Sequence, residues 1–352
     1  MSQRLRVVLV GCGGITNAWL STETYKNEIE LVGLIDLDPD APARLIEKHD
    51  LPKDLPSGTD LAAMLADLKP DAVFDCTIPK AHPIVTTTAL KAGCHVMGEK
   101  PMAEQFGAAT EMVNAARDAG KVYAVIQNRR YNTNIRRLKA FLDSGAIGRV
   151  REVHADFFIA AHFGGFREDM DHVLILDMAI HSFDQGRMLA GKRPKSVLCH
   201  EWNPPGSWYR HGASAIASFE MTDEVVFTYR GSWTTTGAET SWECSWRIIG
   251  TEGAVTWDGS DGFSAERLKD VNQASSEKGG GLIRERESIE VPEIEIEGFR
   301  SGHDGLLHDF VEAVRAGTEP ETICTDNIYS VAMIHKAVES AEAGRKVEIP
   351  EI

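Results

Sequence analysis

Residues 5-LRVVLVGCGGIT-16 decide how the first third of the chain folds. LRVVLV is a short apolar, β-branched run; glycines end it at once, and 17-NAWLSTE-23 beyond them can be helical. A strand that turns through glycines into a helix is where a dinucleotide places its pyrophosphate. Gly11 permits the tight turn, Gly13 lets the backbone approach the phosphates, and the helix start, with Gly14 and Ile15, supplies N–H donors and a favourable dipole. Thr16 stands where the G-x-G-x-x-G pattern has its third glycine, so the motif alone is equally a plain strand-to-helix turn. Asp36 changes that balance. It closes the second apolar run, 29-IELVGLID-36, where a carboxylate accepts hydrogen bonds from ribose hydroxyls and repels a 2′-phosphate. No arginine adjoins it in sequence, so NAD is the expected cofactor, in preference to NADP.

Outward from this turn, apolar runs alternate with helical patterns through 71-DAVFDCTI-78, 94-CHVMGE-99 and 121-KVYAVIQ-127. Strands apolar on both faces and separated by helices predict a parallel sheet covered on both sides, a doubly wound α/β Rossmann domain over residues 1–127. Ligands of such a sheet lie outside the carboxyl ends of its strands. That brings forward Thr77, Pro79 and His82 in 76-CTIPKAH-82, Glu99 and Lys100 in 98-GEKP-101, and Asn128, Arg130 and Tyr131 in 127-QNRRY-131. Lysine is costly to desolvate. At the end of a buried strand, Lys100 is either a solvated loop residue or one with a task.

From residue 128 the pattern changes. After a helix stopped by glycine, 133-TNIRRLKAFLDSGAIG-148, successive strand-like runs follow without helices between them: 150–161, 196–202, 213–221, 224–233, 242–250 and 253–257. This predicts an α+β second domain, residues 128–352, on a mostly antiparallel sheet. Residues 259–285 read as a polar excursion, and two amphipathic helices and a short strand close the chain. One helix interrupts the strands, 173-VLILDMAIHSFDQGRMLAG-191, and places Asp177 and His181 four residues apart on one apolar face. A satisfied core pair, a metal site with His172 nearby, and a general acid/base pair all fit that spacing. No third ligand announces itself, so no metal is expected. A histidine titrating in its ordinary range accepts a proton at neutral pH, and a neighbouring carboxylate stabilises the imidazolium.

These pieces together resemble the Gfo/Idh/MocA family of NAD(P)-dependent sugar and polyol oxidoreductases: VGCGGI, the Asp36 strand end, TIPKAH, GEKP, the SGAIGRV junction and LDMAIHSFD. The resemblance covers most of the chain. It implies that Lys100, Asp177 and His181 form a catalytic trio and that Glu99 and Pro101 shape the nicotinamide pocket. It further implies that the second domain has a large open sheet carrying substrate contacts and the interface of a homodimer or homotetramer. DHVLILD lacks the glycines that often precede this helix in the family. A sugar or cyclic polyol is the implied substrate, with Asn128, Arg130, Tyr131, His154, Trp233 and Glu239 as candidate contacts beside the trio. Two other readings share the fold: a redox-assisted glycosidase that retains its NAD, and a non-catalytic NAD-responsive regulator.

Composition narrows the classes. The 352 residues are 43% hydrophobic, enough for two cores, and 53 acidic against 37 basic residues give a formal charge of −16. That charge opposes both a nucleic-acid backbone and an anionic membrane. No apolar run reaches the roughly 18 residues of a membrane span. The six cysteines have no paired spacing, so reduced thiols and a cytoplasmic location are expected.

Overall fold

A computed structural model describes residues 3–270, 284–295 and 298–352. The five apolar runs of the first third become β1 (Leu5–Val10), β2 (Ile29–Ile35), β4 (Ala72–Asp75), β5 (His95–Gly98) and β6 (Tyr123–Val125), and a two-residue strand, β3 (Ser57–Gly58), joins them. They pair in parallel in the order β3-β2-β1-β4-β5-β6. Period-2 alternation sends Val7 and Leu9 to one face, with Trp19, Phe74 and Phe310, and Val8 and Val10 to the other, with Val85, Met112 and Ile328. Both faces are buried, as a sheet of this pattern requires. The strand order reverses between β1 and β4, which opens a crevice at their carboxyl ends.

The chain forms two units, Met1–Tyr131 with Gly298–Val331, and Asn132–Glu297 with Ala332–Ile352. The sequence reading placed a single division at 127; the chain instead leaves the first unit after Tyr131 and later returns to it. Ion pairs and hydrogen bonds account for the difference. In the 3₁₀ turn Asn128–Tyr131, the Arg130 guanidinium lies 2.9 Å from Asp326 and 3.7 Å from Glu321, and Tyr131 donates to Asp309 at 2.5 Å. The returning helix Gly302–Ala316 also packs Phe310 edge-on against Phe74, so the end of β6 and this helix belong to one core.

Among the described residues the second unit has nine strands: β7 (Val150–Phe158), β8 (Pro194–Trp202), β9 (Ser214–Met221), β10 (Val226–Ser232), β11 (Ser245–Gly250), β12 (Gly253–Trp257), β13 (Phe263–Leu268), β14 (Arg286–Ile289) and β15 (Val347–Glu348). Their order is β14-β13-β12-β11-β7-β10-β9-β8-β15. β7 and β10 run parallel and the other neighbours antiparallel. β13 lies inside the stretch 259–285 that reads as a polar excursion. Phe263 and Ala265 face inward while Ser264 and Glu266 face solvent, a half-buried alternation hidden by its polar members. Residues 271–283 of that stretch lie outside the described residues.

On β7, Val153, Ala155 and Phe157 are buried and His154 and Asp156 face the other way. The helix Ile180–Ala190 lies on the buried face. Phe183 meets Phe219 and Tyr229 edge-on, and Gly186 sits directly against the Phe227 ring, where a Cβ would collide. Ser182 Oγ is 3.2 Å from Cys244 Sγ, and Gln185 donates to Glu243 at 3.0 Å. The single helix expected over 173–191 is two: Leu174–Ala179 is π-helical and passes into the α-helix at Ile180.

Candidate active site

In the first unit, Gly11 has φ +90° and hydrogen-bonds through its N–H to Ile35 O. A Cβ there would sit 2.7 Å from the Cys76 carbonyl, so glycine is required twice over, by dihedral and by space. Gly13 and Gly14 face open space, with nothing within 4 Å of a Cβ. Thr16 fills the place of the third glycine: its buried hydroxyl donates to Gly13 O at 2.6 Å and closes the turn. The Asp36 carboxylate accepts from the N–H groups of Cys12 (2.7 Å) and Asp38 (2.9 Å), which ties the end of β2 to the glycine turn. Burial, with Asp36 nearby, pushes the Cys12 thiol up to about 12, so it stays protonated.

A cavity of about 460 Å³ opens beside this turn, lined by Gly11, Gly13, Asp36, Thr77 and Ile84 among others. Its size, its apolar lining and the carboxylate at its rim suit the adenosine half of a dinucleotide. Ile15 is exposed at the head of the helix Thr16–Leu20, and Pro79 is half-buried in the loop after β4. His82, an expected cofactor contact, is 1% exposed and braces two loops. Its Nδ1 lies 3.0 Å from Pro101 O and its Nε2 3.1 Å from Thr77 O, joining the loops after β4 and β5. Asp75 lies beneath, with Nε2 of His82 at 4.0 Å and the hydroxyls of Thr77 and Thr86 donating to it. Burial pushes the Asp75 carboxyl above its ordinary range against those partners.

Lys100 is half-buried at the carboxyl end of β5, before a cis bond to Pro101. The residue ahead of it is anchored firmly. Glu99 is buried, accepts from Trp19 Nε1 at 2.7 Å and from the Lys100 N–H at 3.3 Å, and burial raises its carboxyl above the usual range. Trp19 belongs to the helix that follows the glycine turn, so one carboxyl links the cofactor turn to the strand end that carries Lys100. Asn128 is half-buried in the 3₁₀ turn. Arg130 and Tyr131 are buried and bonded to Asp326, Glu321 and Asp309, so they hold the first unit together where substrate contacts were expected.

In the second unit, Asp177 lies in the π-helical turn and His181, 7% exposed, in the first turn of the α-helix. A π-turn inside a helix often marks a functional position, because the extra residue re-aims the side chains of that turn. Asp177 is bound by a residue that the sequence did not single out: Arg167 Nε donates to its Oδ2 at 2.6 Å. His172, the possible third ligand, faces Glu201 (2.5 Å) and Glu342 (3.4 Å) instead. Its hydrogen bond to Glu201 raises its pKa despite burial. His154 sits on the sheet face opposite the helix of His181, bonded to Thr228 at 2.6 Å and paired with Glu152. It is therefore not brought together with Asp177 and His181. Trp233 is 1% exposed, stacked on Tyr209 and edge-on to Phe163, a wall residue and not an exposed platform; Glu239 is exposed in the loop beyond it.

A Rossmann unit with a glycine turn, a carboxylate at the end of β2 and a lysine at the end of β5 defines a dinucleotide-binding oxidoreductase fold. Residues 5–127 match the family model described as the oxidoreductase family, NAD-binding Rossmann fold, and residues 135–256 match the GFO/IDH/MocA C-terminal domain. The chain belongs to the Gfo/Idh/MocA family and is an NAD-binding oxidoreductase of that family. It is 24% identical over 349 residues to a 1,5-anhydro-D-fructose reductase of Ensifer adhaerens, covering 97% of each chain. It is 30% identical over 237 residues to a D-glucoside 3-dehydrogenase of Escherichia coli K12, covering 64% of this chain and 67% of that one. The fold is similar to that of an Agrobacterium radiobacter oxidoreductase solved with NAD+, L-tartaric acid and magnesium, with TM-score 0.80, 22% identity and 99% of both chains covered. Among the described residues, no helix is long and apolar enough to cross a membrane.

Proposed function

We propose that the protein transfers a hydride between a secondary alcohol of a sugar, glycoside or cyclic polyol and NAD, with Lys100, Asp177 and His181 converging on the substrate. The observation that carries this reading is an Asp and His pair at a π-to-α junction, in a chain whose other unit carries Lys100 just past the carboxyl end of β5 and, through Glu99 and Trp19, tied to the helix after the glycine turn. NAD, when bound, supplies the hydride acceptor. Lys100 then hydrogen-bonds the substrate oxygen and stabilises the charge that develops on it. His181 takes the hydroxyl proton, and Asp177 orients His181 or the substrate. Similarity to a glucoside dehydrogenase and an anhydrofructose reductase supports a sugar as substrate.

NAD is preferred over NADP because a 2′-phosphate would meet the Asp36 carboxylate, and the nearby Arg44 is paired with Asp38. The test is NADH formation with sugar substrates by wild-type protein, Lys100→Ala and Asp36→Ala. Loss of one donor to a developing oxyanion costs on the order of 10²–10³ in rate. Lys100→Ala is expected to fall by that factor and keep its NAD affinity; Asp36→Ala is expected to lose NAD affinity. Equal loss of both properties in both variants would overturn the assignment.

A further inference from the structure

Arg167 follows Gly164 and Gly165, whose φ values are +68° and +69°, in the short turn Phe166–Asp169. Its Nε donates to Asp177, with the two side chains 33% and 15% exposed. The guanidinium carbon lies 4.8 Å from the Phe166 ring centre and 5.4 Å from that of Phe163, and the Phe163 ring lies 6.1 Å from Trp242. Phe163, Phe166 and Trp242 are 56%, 68% and 43% exposed. Large aromatic rings gathered at a surface around a charged group mark a binding surface more than a core. Cation–π contacts with Phe163 and Phe166 restrain the guanidinium. Its Nη1 and Nη2 groups donate to no acceptor among the described residues, while Nε is committed to Asp177.

We propose that Arg167 is a substrate-specificity residue, and that with the Phe163, Phe166 and Trp242 rings it binds a neutral polyhydroxylated ring, a pyranoside or cyclitol, in preference to the corresponding carboxylate. The assignment deepens the dehydrogenase reading and rests on it for the reaction. The guanidinium N–H donors can each reach one of two adjacent hydroxyl oxygens, and the aromatic faces suit the C–H face of such a ring. Charge decides against an anion. Arg167 is already balanced by Asp177, and the same segment carries Glu168, Asp169 and Asp171, paired with His162 (2.8 Å), Arg210 (2.7 Å) and His211 (3.1 Å). A substrate carboxylate would add a second negative charge beside Asp177. Arg167 also positions Asp177, so its loss reaches the chemical step as well as binding.

The test is titration of the NAD-loaded protein with myo-inositol, methyl β-D-glucopyranoside and methyl β-D-glucopyranosiduronate. Calorimetry reads binding and absorbance at 340 nm reads turnover, for wild type, R167K and R167Q. Wild type is expected to bind at least one neutral ring more tightly than the uronate. R167Q should weaken that binding roughly ten- to hundredfold, the range for hydrogen bonds from a charged donor, and lower kcat as well. R167K should restore part of kcat, by holding Asp177, without restoring KM. An unchanged melting temperature and near-UV circular dichroism in both variants show that the second unit folds, and unchanged NAD affinity shows that the first does. Binding of no probe, tighter binding of the uronate, or equal binding by R167Q and wild type would overturn the proposal. Binding that depends on Arg167 but gives no NADH would sink the dehydrogenase reading and leave the specificity assignment standing.

Discussion

At the scale of single residues, the glycine turn is the least tolerant point of the first unit. Gly11→Ala places a methyl group against the Cys76 carbonyl at a φ that disfavours any side chain, so about 1–3 kcal/mol of stability should be lost. Calorimetry should also find NAD binding weakened, whereas Gly14→Ala, with open space around it, should leave stability nearly unchanged. The candidate residues easiest to place from sequence are those set by local pattern. Gly11, Asp36 and Lys100 owe their positions to strand ends visible as apolar runs. The ties that hold Arg130 and Tyr131 were illegible because their partners are remote: Asp326 is 196 positions from Arg130, and Asp309 is 178 from Tyr131. Arg167 escaped notice for a related reason. Its bond to Asp177 spans ten positions across a loop, with no helical or strand period to announce it.

At the scale of elements, the helix over Asp177 and His181 is held at both its approach and its packing face. Gly186 is where it presses on the sheet, so Gly186→Ala should overpack the Phe227 contact and cost about 1–3 kcal/mol, read as a lower midpoint in urea. The approach is held by His172, at φ +53°, through Glu201 and Glu342. The hydrogen bond to Glu201 raises the folded-state pKa of His172 above its unfolded value, so this pair stabilises fully below the unfolded value and fades as pH rises through the folded one. His172→Gln should therefore lower the melting temperature at pH 5.5 much more than at pH 9. An equal loss at both pH values would count against the ion pair. The two-part character of this helix was illegible because apolar periodicity follows side chains and does not register one extra residue in a backbone turn. β13 was lost for the opposite reason: its outward Ser264, Glu266 and Arg267 dominate its composition.

At the scale of the molecule, alternation of strands and helices followed by strands alone made both architectures legible, parallel in the first unit and mostly antiparallel in the second. The path between them was not legible. A chain that returns to its first unit through Gly298–Val331 reads in sequence as two ordinary amphipathic helices, with nothing to say which core they complete. The central claim is that a lysine at the end of β5 and an acid/base pair in the other unit serve one hydride transfer. The most direct measurement is absorbance at 340 nm for purified protein with NAD and a panel of cyclitols, aldoses and glycosides, run beside Lys100→Ala and with NADP in place of NAD. The account predicts NADH formation with at least one member, reduced on the order of a hundredfold or more in the variant and much weaker with NADP. Turnover that survives in Lys100→Ala undiminished, or no NADH from any member while calorimetry still detects NAD binding, would contradict it.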